Sequence, residues 1–197
     1  VGGVFGPELK FAGYDGIVIT GKAENPVYLR IEDDRVSLED AQPSQGKGIF
    51  ETEQWLVGEM GHGVKSLCIG PAGENLVTYA CIGSEAYRQM GRCGAGTLFG
   101  SKNLKAVVLI GKQKLKIANE GAFKEVNNRC RANIKMHPMV GKEGVFPKIG
   151  TMMTVALTQA TGTLPTRNWQ ENTFNHAAKI DGHAFEKYIV RPRACFA

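Results

Sequence analysis

Leu104-Lys105-Ala106-Val107-Val108-Leu109-Ile110 is the stretch on which the reading of the fold depends. Its run of apolar and β-branched residues has strand length, and it closes a region rich in strand signals. Beyond about Leu115 the texture changes to polar, charged and helix-compatible sequence. The chain therefore reads as an α+β N-terminal domain over residues 1–113, strand-rich and incomplete at its N-terminus, followed by the start of an all-α domain over residues 114–197.

Upstream, Gly16-Ile17-Val18-Ile19-Thr20-Gly21 reads as a short strand closed by glycine, and Val27-Tyr28-Leu29-Arg30-Ile31 as a half-buried one. Asp33-Asp34 supplies a turn, and Arg35-Val36-Ser37-Leu38 the hairpin partner. Ile49, Phe50, Trp55, Leu56 and Met60 share roughly one helical face, with Glu51 and Glu53 near the start where the helix dipole favours acids. Strands are expected again over residues 64–69 and 76–82. Downstream, residues 118–136 suit a helix ended by Pro138, and residues 150–160 are helix-like. Residues 163–175 suit a loop fixed by Pro165, and residues 184–189 a short helix stopped before Pro192.

The 197 residues are 43% hydrophobic and 22% charged, the composition of a globular protein of one or two domains. The longest apolar runs fall far short of the roughly 20 residues that a membrane-spanning helix needs. A net charge of +5 is spread along the chain without a basic tract and interleaved aromatics, which argues against nucleic-acid binding. Five cysteines, at 68, 81, 93, 130 and 195, lack the paired rhythm of a disulfide framework. Cys68 and Cys81, in apolar runs, read as small buried hydrophobes. The chain opens on Val1-Gly2-Gly3 without a methionine and stops at Cys195-Phe196-Ala197, so neither end reads as a natural terminus.

The segment best suited to chemistry is Gly91-Arg92-Cys93-Gly94-Ala95-Gly96-Thr97-Leu98-Phe99-Gly100-Ser101-Lys102. Glycines let the main chain approach an anion closely, and a guanidinium pairs bidentately with phosphate oxygens. It is not a dinucleotide fingerprint: Glu85 to Met90 does not read as the buried strand that should precede one, and no acidic residue follows at the required distance. On composition alone, a tight turn entering a helix explains the same residues equally well. Val1-Gly2-Gly3-Val4-Phe5-Gly6 is a second glycine-rich patch, and Cys195 could open a Cys-x-x-Cys run. His62, His137, His176 and His183 lack metal-ligand spacing and read as surface residues. Glu74 reads equally as a turn residue or a base.

Several separated segments, taken in order, resemble the aldehyde ferredoxin oxidoreductase family. They are Gly2-Gly3-x-Phe5-Gly6-x-x-Leu9-Lys10-x-Ala12-Gly13-Tyr14-Asp15-Gly16-Ile17-Val18-Ile19, then Gly70-Pro71-Ala72-Gly73-Glu74-Asn75, then Gly91-Arg92-x-Gly94-x-Gly96 continuing into Gly100-Ser101-Lys102-Asn103-Leu104-Lys105-Ala106. The resemblance implies a tungstopterin cofactor, with tungsten or molybdenum held by two pterins and a magnesium ion bridging their phosphates. In the family an Asn-x-Gly-Gly segment and the Arg-x-Gly loop line one pterin. Carried over, this assigns Gly2, Arg92, Cys93, Gly94, Ala95 and Gly96 to cofactor binding, with the Cys93 backbone carbonyl as a magnesium contact. The asparagine would precede Val1.

The resemblance further implies that Cys195 is the first ligand of a 4Fe-4S cluster, with its partner cysteines and the catalytic residues beyond Ala197. The implied activity is oxidation of an aldehyde to a carboxylate, with ferredoxin as electron acceptor, in an anaerobic, cytoplasmic enzyme compatible with a homo-oligomer. The isolated 197-residue piece is expected to be inactive. An enzymatic alternative is the tungsten subunit of a benzoyl-CoA reductase. An alternative of another class is a non-catalytic anion-binding module over residues 1–112.

Overall fold

A computed structural model of the chain describes residues 2–191. Its first unit, Val1–Lys116, runs α1 (Phe5–Phe11), β1 (Val27–Glu32), β2 (Arg35–Asp40), α2 (Ile49–Met60), β3 (Lys65–Cys68), the single turn α3 (Pro71–Glu74), β4 (Ile82–Ser84), β5 (Arg88–Met90), α4 (Ala95–Ser101) and β6 (Leu104–Ile110). The strands form one six-stranded sheet in the order β2-β1-β6-β3-β4-β5. β6 pairs with β1 in parallel and with β3 antiparallel; the remaining pairs are antiparallel.

The apolar run of β6 follows from this central place. Val107 and Leu109 enter a cluster with Phe5, Ile31, Leu67, Ile69 and Ile82. Ala106 and Val108 enter another with Tyr28, Leu56, Val64 and Cys68. A strand covered on both faces has to be apolar at consecutive positions. α1 and α4 bring Leu9, Ala95 and Phe99 to the first cluster, whereas α2 brings Leu56, Ile49, Trp55 and Met60 to the second. The acidic start expected of α2 is used directly: the Glu51 carboxylate accepts the Gly48 N–H at 2.7 Å.

One residue of β6 breaks its pattern. Val27 pairs with Leu104 but Tyr28 with Ala106, so Lys105 is the extra residue of a β-bulge. Its side chain is 2% exposed and donates to the Lys47 carbonyl at 2.8 Å and to Glu74 Oε1 at 2.5 Å. A buried ammonium is tolerated because it is paired and hydrogen-bonded.

The second unit, Ile117–Ala194, contains α5 (Glu120–Met136), α6 (Val145–Ile149), α7 (Met153–Ala160) and α8 (Gly182–Phe185) among the described residues. Asn119 Oδ1 caps α5 by accepting the Ala122 N–H at 2.9 Å. The helix stops where His137, at φ −70° and ψ 129°, adopts the extended conformation that Pro138 imposes on its predecessor.

The α+β unit followed by helices agrees with the sequence reading, as do the β1–β2 hairpin and the bounds of α2. Two expected strands do not form. Residues 17–20 join no ladder because β1 already has β2 and β6 on its two sides; Ile17 and Ile19 pack on the first cluster while Val18 points to solvent. The segment alternates between core and solvent without pairing. Residues 76–81 form a turn, with Leu76 at φ 58°, and only Ile82–Ser84 is strand. The backbone oxygens a strand would need are taken by α4: Ala80 O accepts the Gly96 N–H at 2.9 Å, and Val77 O accepts the Thr97 hydroxyl. Cys81 is half-buried, where full burial was expected; Cys68 is fully buried.

Candidate functional site

The segment 91–102 is a tight left-handed turn entering α4. Cys93 and Gly94 both have φ 65°, an arrangement rare for a residue with a Cβ such as Cys93. A short strand, β5, does precede the turn, which the sequence reading missed. It is an edge strand paired antiparallel with β4 alone, so the parallel βαβ unit of a dinucleotide site is not formed here.

The glycines of this segment divide by role. A Cβ on Gly94 would overlap the Thr78 carbonyl oxygen, and one on Gly96 would lie 2.5 Å from Cys81 O and 2.9 Å from Ala80 O. A Cβ on Gly100 would overlap Gly73 O, and one on Gly73 would lie 2.9 Å from Gly96 O. Gly73, Gly96 and Gly100 thus form a seam along which α3 and α4 touch backbone to backbone. The Gly96 amide, already donating to Ala80, is occupied by the fold itself. The space open to a ligand lies earlier: Gly91, Arg92 and Cys93 are exposed, and nothing lies within 4 Å of a Cβ on Gly91. Ala95 opens α4 and is half-buried.

At the other glycine-rich patch Gly2 is exposed, Gly3 has φ 93°, and the Val4 N–H donates to Glu85 Oε1 at 2.5 Å. Glu85 lies in the connection between β4 and β5, where Glu85 and Ala86 have φ 51° and 59°. That connection is tied from α2 by Glu53, whose Oε2 accepts the Ala86 N–H at 2.8 Å. Burial is the main cause that pushes the Glu53 carboxyl above the ordinary glutamate range. Sequence reasoning placed Glu53 only at the acidic start of α2 and did not single out Glu85, because a left-handed turn built without glycine or asparagine leaves no local signature.

Glu74 proves to be a structural anchor: Oε1 receives Lys105, and Oε2 receives the Gly46 N–H at 2.9 Å. The four histidines are exposed, as expected. Among the described residues no group of three or more His, Cys, Asp or Glu side chains is gathered to hold a metal ion, and no helix is long and apolar enough to cross a membrane. Cys195 lies outside the described residues.

Comparison with known proteins decides the family. The profile described as aldehyde ferredoxin oxidoreductase, N-terminal domain, matches residues 1–111, and that for domains 2 and 3 matches residues 125–197. The chain belongs to the aldehyde ferredoxin oxidoreductase family. The tungsten-containing aldehyde ferredoxin oxidoreductase of Pyrococcus abyssi is 44% identical over 198 aligned residues, covering 100% of this chain and 32% of its own length. The protein of that name from Pyrococcus horikoshii is 43% identical with the same coverage. The chain thus spans about a third of the length of the curated relatives it matches. Among solved structures, the active-site complex BamBC of benzoyl coenzyme A reductase, in complex with 1,5-dienoyl-CoA, is similar at a TM-score of 0.73 and 31% identity, covering 94% of this chain and 29% of that one. Membership of a family of tungsten oxidoreductases makes tungstopterin the cofactor to be tested against the turn. An exposed guanidinium beside exposed main chain at residues 91–93 fits the phosphate end of such a group.

Proposed function

We propose that the protein to which this chain belongs oxidises aldehydes to carboxylic acids at a tungsten-bispterin centre and passes the electrons through a 4Fe-4S cluster to ferredoxin. The observation that carries the reading is 44% identity to a tungsten-containing aldehyde ferredoxin oxidoreductase across the whole chain. When bound, the tungsten centre supplies the two-electron oxidation, and the protein supplies position and electrostatics.

In this reading the chain forms one wall of a pterin site. Arg92 pairs with phosphate oxygens, the backbone of Gly2 and Cys93 lies along the cofactor, and the Cys93 carbonyl contacts magnesium. Gly94, Ala95 and Gly96 shape the turn that presents Arg92 and Cys93. Cys195 is a ligand of the cluster. The protein works in the cytoplasm, and a homo-oligomer is compatible with it.

Metal analysis of the whole protein, purified anaerobically, is the test. Tungsten or molybdenum with about four irons per chain, together with aldehyde-dependent viologen reduction, is expected; finding neither metal would sink the reading. Arg92→Ala is expected to lower pterin content in a folded protein, and unchanged content would remove Arg92 from the site. The likeness to the benzoyl coenzyme A reductase complex favours a second reading, in which the substrate is an aromatic thioester; ring reduction without aldehyde oxidation would select it.

A further inference from the structure

We infer that Glu85 is a positioning residue for the cofactor wall: its carboxylate, presented by the β4–β5 turn, fixes residues 2–4 relative to the same hairpin that leads into residues 91–93. This rests on the tungstopterin reading above, but the geometry stands independently of it.

Three observations converge on this carboxylate. It accepts the Val4 N–H at 2.5 Å, across a sequence separation of 81 residues. It also fills the space beside Gly3, where a Cβ would lie 2.8 Å from Glu85 Cδ. Gly3 combines that contact with φ 93°, a conformation open to glycine and strained for residues with a side chain. The glycine of the first patch is therefore required by the glutamate that holds it.

The turn that presents Glu85 is itself secured. Two successive left-handed residues other than glycine are strained, so they persist only where other bonds over-determine them. Here Ala86 N–H is held by Glu53 from α2, and Tyr87 N–H returns to Glu85 O at 2.7 Å. At its far end the hairpin pairs Ile82 with Met90, and the next residues are Gly91, Arg92 and Cys93. One three-residue ladder thus carries the anchor of the first patch at its turn and the second patch at its exit. Alignment of these separate pieces of main chain is the kind of support a preorganised site needs from residues that do not touch the ligand.

The test uses the whole protein, with amide hydrogen exchange at Val4 and tungsten and pterin content as readouts. Losing a charge-assisted hydrogen bond is expected to speed Val4 exchange about tenfold or more in Glu85→Ala, in cofactor-free as well as loaded protein, and to lower tungsten per chain. Glu85→Gln keeps an acceptor oxygen and is expected to restore most of both. Gly3→Ala, which pushes the segment off the carboxylate from the other side, is expected to reproduce the loss. Val4 exchange unchanged in Glu85→Ala overturns the inference. So does a folded Glu85→Gln that loses as much cofactor as Gly3→Ala. Absence of tungsten from the wild-type protein would remove the proposed function while leaving the exchange result to judge the anchor.

Discussion

The two units of the chain are built on opposite terms. In the first, β6 is covered on both faces, and Leu56, Ile69, Val107, Val108 and Leu109 are fully buried. In the second, Ala177 is the only buried apolar side chain among the described residues, and α5 buries nothing. Phe123, Val126, Cys130 and Ile134 recur along α5 at helical spacing and are all exposed. An isolated helix of this kind is marginal in water. The first unit therefore carries its own core, whereas the described residues of the second present apolar helix surface with almost no interior.

The largest expected contrast is chemical. Burial pushes the Cys68 thiol up to about 12, while Cys130 is exposed on α5. Since the thiolate is the nucleophile, and Cys68 is buried and almost wholly protonated at pH 8, alkylation of the folded chain should modify the exposed Cys130 about 100-fold faster than Cys68 or more. Peptide mapping reads the ratio, and comparable rates would mean that the first unit's core is open.

Next comes a paired truncation. Leu56→Ala should cost about 3 kcal/mol in urea unfolding, and Leu157→Ala, at a side chain 55% exposed, less than about 0.5 kcal/mol. Equal costs would erase the difference between the units. Gly100→Ala should cost about 2 kcal/mol, because the obstacle is the Gly73 carbonyl and no side chain is there to rotate away.

A smaller effect is the pH dependence at Glu53, whose carboxyl is raised mainly by burial and further by Glu85. Between the ordinary glutamate value and its raised folded one, the folded chain keeps a proton that the unfolded chain has lost. Stability from this group therefore falls as pH rises through that window. Glu53→Gln should flatten this part of the stability profile, and an unchanged slope would show that Glu53 is not its source. The smallest effect is a gain: Gly58 lies in α2 with nothing near a Cβ, so Gly58→Ala should stabilise by about 0.5–1 kcal/mol in the same assay.

Legibility in the sequence followed the range of the interactions. The β1–β2 hairpin, the acidic start of α2 and the end of α5 before Pro138 are decided within a few residues, and each was readable. Residues 17–20 and 76–81 carry strand-like composition, but their fate is settled by β2, β6 and α4, which occupy the partners they would need. At the candidate site, Arg92 and the glycine-rich turn could be picked out. The division of the glycines between seam and open turn, and the grip of Glu85 on Val4, depend on contacts between residues far apart in the chain.

The seam of Gly73, Gly96 and Gly100 has a consequence for conformational entropy. The three glycines bring no side chain of their own to the contact, so the entropic cost of ordering them falls on the backbone, where glycine loses more freedom than any other residue. Replacing glycine with alanine to shrink the unfolded ensemble is the ordinary remedy for that loss. At Gly58 the remedy is available; along the seam the facing carbonyls forbid it, so the chain must retain its most disorder-prone residues where α3 and α4 meet.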